Sequence, residues 1–220
     1  MQSQKLFLAL CLPVVFLFSS CDKDNSAPGV TYQVSTAAST PAVIVGTAGN
    51  GSLKWISGFA NVVEIEFEAM NNNVEVEYKS VAKQKINFFS PFSTLGVIAV
   101  PPGTYDDVEF EIEVQPIGTE PALLLNGSYS SNATTTPVSF KLNAELEIET
   151  KQARVAITDG GSFTAFTTLN LSLITTGVTV SMLDDASRTN GTIEISATSN
   201  AQIYDIIVKN LKECGGVKID

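Results

Sequence analysis

Four stretches of this chain place carboxylates two residues apart with apolar side chains between them. Glu64, Glu66 and Glu68 alternate with Ile65 and Phe67, and Glu75 and Glu77 flank Val76. Glu109, Glu111 and Glu113 alternate with Phe110 and Ile112, and Glu145, Glu147 and Glu149 alternate with Leu146 and Ile148. Eleven of the fourteen glutamates fall in these ladders, so their role bears on most of the acidic chemistry available. Closely spaced carboxylates can be the working pair of a glycosidase, the ligands of a Ca²⁺ ion, or the solvated face of a strand. Residues two apart on a strand share a face and lie roughly 6.6 Å apart, while their neighbours point the other way. A catalytic pair needs two unlike environments, one carboxyl raised in pKa as the acid and one left ionised. A ladder of similar, solvated glutamates supplies no such asymmetry, and the expectation is a wet sheet face. Like charges directly opposite on adjacent strands repel. Ladders lying side by side would therefore need Lys79, Lys83, Lys85, Lys141 or Lys151, a Ca²⁺ ion or a basic partner beside them.

Other chemistry is sparse. There is no histidine, which excludes Ser-His-Asp and Cys-His arrangements and removes the commonest general base and metal ligand. Cys214, in KECGG, follows a predicted helix whose negative end raises a thiol pKa, so it is expected to be buried or idle. Asp184-Asp185 reads as solvated acid near a helix end. Neither a Gly-rich phosphate loop nor a D-x-D-x-D calcium loop occurs, and no metal or cofactor is expected. Trp55, Tyr105 and Tyr129 are the candidates for a carbohydrate-stacking platform, with Tyr78 and Tyr204 as further rings. Trp55, between Leu53 and Ile56, reads more readily as core.

These residues sit on elements the pattern predicts directly. From Leu53 the apolar period is two for about a hundred residues, in short β-branched or aromatic runs bounded by Asn, Gly or Pro. AMNNNV at 69–74 and PPGTY at 101–105 are turns. After Gly161, Ile174, Val178, Met182 and Ala186 recur at steps of four, predicting a helix that closes at Asn190-Gly191. TIEIS at 192–196 reads as a strand. Asn200 as N-cap, an apolar face of Ile203, Ile207 and Leu211, and a stop at Gly215-Gly216 predict a second helix. The fold class is mainly β: an antiparallel β-sandwich with a smaller α+β C-terminal part carrying two short helices.

The N-terminus indicates where the protein works. MQSQK carries one positive charge, Lys5, and precedes LFLALCLPVVFLF, thirteen apolar residues, too short for a spanning helix of roughly 20. Ser19-Ser20-Cys21 follows, so residues 1–20 form a secretory signal. Phe18-Ser19-Ser20-Cys21 resembles the lipobox of a bacterial lipoprotein, which implies a lipid on Cys21. Asp22-Lys23-Asp24-Asn25 resembles the acidic export tag of surface lipoproteins of Bacteroidota. The whole sequence resembles uncharacterised lipoproteins of that phylum that present a β-sandwich, a group for which no reaction is implied. Residues 21–52, rich in Ser, Thr, Ala, Gly and Pro, read as a tether, with a short added strand near Thr31–Ser35 or Ala42–Val45, and 53–220 as the sandwich domain.

Removing Lys5 with the signal takes the net charge from −10 to −11, which leaves no footprint for nucleic acid. The expectation is a lipid-anchored, non-catalytic protein of the outer membrane or cell surface that binds a carbohydrate or a protein. The alternatives are a structural, fimbrial-type subunit and, third, a carboxylate-based hydrolase.

Overall fold

The computed structural model describes residues 29–36, 42–44 and 51–219. The signal segment and Cys21 lie outside the described residues. The strands are β1 Gly29–Thr36, β2 Ala42–Ile44, β3 Gly51–Asn71, β4 Val74–Asn87, β5 Ser93–Ala99, β6 Gly103–Val114, β7 Leu123–Ser131, β8 Thr134–Leu142, β9 Leu146–Ile157 and β10 Phe163–Leu169. After a 3₁₀ turn at Leu173–Thr175 come helix α1 Val180–Asp184, β11 Arg188–Thr189, β12 Thr192–Ile195, helix α2 Ala201–Leu211 and β13 Gly215–Ile219.

The spine is β3, 21 residues long. Its first half pairs with β7 and β2, and its second half with β6 and β4. The ladder is irregular between Trp55 and Ser57 and again between Val62 and Glu64, and between these two points, from Ala60 to Val62, β7 gives way to β6 as neighbour. The larger sheet runs β11-β12-β8-β7-β3-β6-β9, and the smaller one β13-β10-β1-β5. Alternation on β3, β6 and β9 sends Ile65, Phe67, Phe110, Ile112 and Ile148 inward, where all are buried. The smaller sheet closes over that inner face. Tyr32 of β1 stacks on Phe110 of β6 with centroids 5.3 Å apart, and Phe110 meets Phe67 edge-on at 5.2 Å. The Tyr32 hydroxyl shares a 2.7 Å hydrogen bond with Thr167 of β10, so its polar tip is satisfied inside the core. Each such side chain taken out of water contributes about 1.5–3 kcal/mol.

The helices close the other half of the larger sheet. Ile203, Ile207 and Leu211 of α2 are buried, and Tyr204 stacks on Phe140 of β8 with centroids 5.7 Å apart. The mainly-β sandwich with two short helices is therefore the fold, and two of its pairings are parallel: β1 with β10 and β8 with β12.

Several expectations differ from the structure. The added strand expected near Thr31–Ser35 forms as β1, and it is more than an addition to the domain from Leu53: it is an interior strand of the smaller sheet with Val30, Tyr32 and Val34 buried. The helix expected from Ile174 to Ala186 is broken into a 3₁₀ turn and the five-residue α1, since Gly177 takes φ +91° and Thr179 restarts the chain as N-cap, its side chain accepting from the Met182 N–H. Asn190-Gly191 is then the turn of the β11–β12 hairpin, both residues at positive φ. Asn200 does precede α2, but its side chain does not cap it; it ties Ser187 and Glu194 to the helix start. Gly215-Gly216 opens β13 instead of only stopping the helix.

The β7–β8 turn carries a testable strain. Asn132 and Ala133 sit at φ 49° and 63°, the mirror-image turn that suits right-twisted hairpins but costs an alanine, whose Cβ crowds the backbone there. Ala133→Gly is expected to raise stability by about 0.5–1 kcal/mol. A urea midpoint that stays put or falls contradicts this account of the turn.

Candidate functional site

Register places the ladders side by side. In β3, β4, β6 and β9 the outward residues form cross-strand rows. Lys79, Glu66, Glu111 and Glu149 make one row; Glu77, Glu68, Glu109 and Lys151 make the next; Glu64, Glu113 and Glu147 make a third. Directly opposed carboxylates repel, and the cations stand at the margins of the grid. The Lys79 ammonium lies 2.9 Å from Glu66, 2.7 Å from Glu77 and 3.6 Å from Glu64. Lys151 lies 2.6 Å from Glu109 and 3.8 Å from Glu149, and Arg154 pairs with Asp106 at 3.2 Å. The hydrogen bonds to Glu66 and Glu109 hold Lys79 and Lys151 respectively above the ordinary lysine range. Of the other lysines expected to help, Lys85 pairs instead with Glu120 at 2.7 Å.

The face is less uniformly wet than the alternation predicts. Glu145 and Glu147 are exposed, but Glu109, Glu111 and Glu113 are half-buried, and Glu66 is 9% exposed, because neighbouring side chains on both flanking strands crowd these positions. Glu111, in the central row and out of reach of either lysine pair, is the odd member. Burial first, and then the charges of Glu66, Glu147, Glu149 and Glu68, push its carboxyl up to about 7. Glu68 is also raised, chiefly by a hydrogen bond with Glu75. The expectation of equivalent glutamates is thereby corrected. One of them holds its proton near neutrality while its neighbours in the row stand on either side.

The aromatic candidates lie elsewhere. Trp55, Tyr105 and Tyr129 are 3%, 0% and 2% exposed, each in the core, and present no stacking face to solvent. The Tyr105 hydroxyl donates to the Pro101 carbonyl at 2.8 Å, and that of Tyr129 to Asp184 at 3.0 Å, so one phenol fastens a loop and the other the end of α1. Trp55 Nε1 is buried without a hydrogen-bond partner among the described residues. Ring type alone does not distinguish a platform from a core anchor, and these positions point inward on β3, β6 and β7.

Cys214 is buried, and burial pushes its thiol up to about 12, which leaves negligible thiolate at neutral pH. Among the described residues there is no group of three or more acids or cysteines placed to hold a metal ion, and no helix long and apolar enough to cross a membrane.

Sequence reasoning missed a cleft at the bulge of β3. It has a volume of about 460 Å³ and is lined by Ser57 and Phe59 of β3, Lys85 and Asn87 of β4 and Asn126 of β7. The signals that could have marked it were Gly58 between two strand-forming runs, a lysine and an asparagine at the end of β4, and Asn126 within β7. No family model, curated protein or solved structure matches this chain.

Proposed function

We propose that this chain is a lipid-anchored, non-catalytic envelope protein of the outer membrane or cell surface, of the Bacteroidota type, that works by binding a carbohydrate or protein ligand. The observation that carries the non-catalytic part is the setting of Glu111. It is the glutamate with the largest departure from ordinary acidity, yet it stands on the open face of a sheet, while the clefts of about 250, 290, 360 and 460 Å³ are lined by other residues. An acid in glycoside cleavage must meet a bound substrate within hydrogen-bond reach, with water excluded. Glu111 lines none of these clefts, and the ladder glutamate that borders one, Glu109 in the cleft of about 290 Å³, is paired with Lys151 at 2.6 Å.

The anchor rests on Phe18-Ser19-Ser20-Cys21, and the fold limits its reach. Gly29 is eight residues beyond Cys21, so even an extended chain holds the start of β1 within about 29 Å of the lipid. The leash is therefore far shorter than a tether running to residue 52 would be. Intact mass of the mature protein extracted from membranes is expected to show acyl chains on an N-terminal Cys21, and Cys21→Ala is expected to move the protein to the soluble fraction. A mature chain that begins elsewhere without lipid overturns the anchoring.

A structural-subunit reading draws on one feature, the interior position of β1. A terminal strand filling a slot between β5 and β10 is the kind of element that strand-exchanging subunits trade. Self-association that scales with concentration and vanishes on deleting residues 29–36 would favour it.

A further inference from the structure

We infer that the cleft at the β3 bulge is a saccharide site, taking the neutral, hydroxyl-rich end of a glycan between Phe59, Lys85, Asn87 and Asn126. The assignment rests on the binding reading above and names its ligand class. The cleft arises because β3 slips register between Trp55 and Ser57 just where β4 begins to pair at Phe59, a local re-aiming typical of bulges beside sites. Its volume of about 460 Å³ falls among small-ligand pockets. Phe59 forms one wall, with the Lys85 ammonium over its ring, and the rims are planar amides and a hydroxyl, which suits a ligand rich in hydroxyls around its edge.

The polar groups are held in place before any ligand arrives. Asn87 Oδ1 accepts from the Phe89 N–H at 2.9 Å, which fixes the amide and leaves its NH₂ to donate. The Lys85 ammonium sits 3.8 Å from the centroid of the Phe59 ring and 2.7 Å from Glu120, so its position is set from two sides. That ion pair joins a donor of the cleft to Glu120, which does not line it. It also cancels the local charge, which argues against phosphate or carboxylate as the ligand. Preorganisation of this kind reduces the ordering cost of binding.

The cleft also lies toward the end of β1 opposite Gly29, the described residue nearest in sequence to Cys21. Gly29 begins β1 beside Ala99 and Phe163, whereas Thr36 ends it with its hydroxyl donating to the Phe88 carbonyl, and the Phe88 N–H in turn bonds to Gly58 at 3.2 Å.

The test uses the mature lipoprotein in a detergent without a sugar head group, titrated calorimetrically with neutral gluco-, galacto-, manno- and xylo-oligosaccharides. At least one is expected to bind in the micromolar to millimolar range, and Asn126→Ala and Lys85→Met are each expected to weaken it by roughly tenfold or more. Phe59→Ala is expected to abolish it. If that variant fails to fold, the two polar variants, with unchanged melting curves, carry the decision. No binding by any probe at about 10 mM, or binding that survives both polar substitutions, overturns the site. The sugars are recovered and sized afterwards. Intact sugars without binding defeat the saccharide site alone, whereas shortened sugars defeat the non-catalytic reading.

Discussion

Replacing Phe110 by alanine is expected to destabilise the protein by about 3–5 kcal/mol, enough to lower the melting temperature by roughly 10 °C. The ring is fully buried and joins the two sheets: it stacks on Tyr32 at 5.3 Å on one side and meets Phe67 edge-on at 5.2 Å. Truncation removes both aromatic contacts and leaves a cavity at the seam. Three inward strands border that cavity, and none can move in without breaking its own ladder. Thermal unfolding followed by circular dichroism measures the loss. A cost below about 1 kcal/mol would mean that the smaller sheet does not pack on β6 as described.

The next residue along the strand is expected to act in the opposite direction, by an amount that grows from about pH 4.5 and is complete above about pH 7. The folded state holds the Glu111 proton up to about 7, well above the ordinary glutamate value of 4.5, because burial and then Glu66, Glu147, Glu149 and Glu68 oppose its charge. A raised folded-state pKa contributes stability that is fully present below the unfolded pKa and is lost as pH rises through the folded one. For Glu111 that window runs from about 4.5 to about 7. Glu111→Gln cannot ionise and escapes the loss. It should match the wild type near pH 4 and exceed it at pH 8, by about 1 kcal/mol once solvent screening of this half-buried group is allowed for. Molar salt, which shortens the screening length to about 3 Å, should shrink the part of the gap due to the neighbouring glutamates and leave the part due to burial. A variant less stable than the wild type at pH 8 would show that Glu111 is ionised and paired, and the grid would need another source of positive charge.

These paired predictions mark where the sequence was legible. Alternation of Glu109, Glu111 and Glu113 with Phe110 and Ile112 requires only the period of a strand, so the buried and outward sets could be assigned without knowing the neighbours. The distinct character of Glu111 required the neighbours. It follows from β6 lying between β3 and β9 in a register that sets Glu66 and Glu149 on either side, and strand order is not written in periodicity. The strand β1 was half visible. Val30, Tyr32 and Val34 alternate as a strand should, but the Ser, Thr and Ala around them read as tether composition, and a parallel partner at β10 leaves no hairpin signal. The three rings nominated for ligand binding went astray for a related reason. An aromatic residue at an inward position and one at a bulge carry the same side chain, and only the register slip after Trp55 separates Trp55 in the core from Phe59 in a cleft.

The place of β1 in the smaller sheet bears on the order of events during synthesis. The first strand to be made cannot find its seat until β10 exists, and the hydrogen bond between Tyr32 and Thr167 spans 135 residues. Contacts of such sequence separation fold slowly, because the loop must be closed before it is rewarded. A chain delivered N-terminus first therefore keeps its first strand unpaired while most of the polypeptide is still arriving. That delay leaves Val30, Tyr32 and Val34 open to any holding chaperone before the seam closes, and under the proposed anchoring it would also keep Cys21 within reach of lipidation. The domain commits to its final form only when its two ends meet.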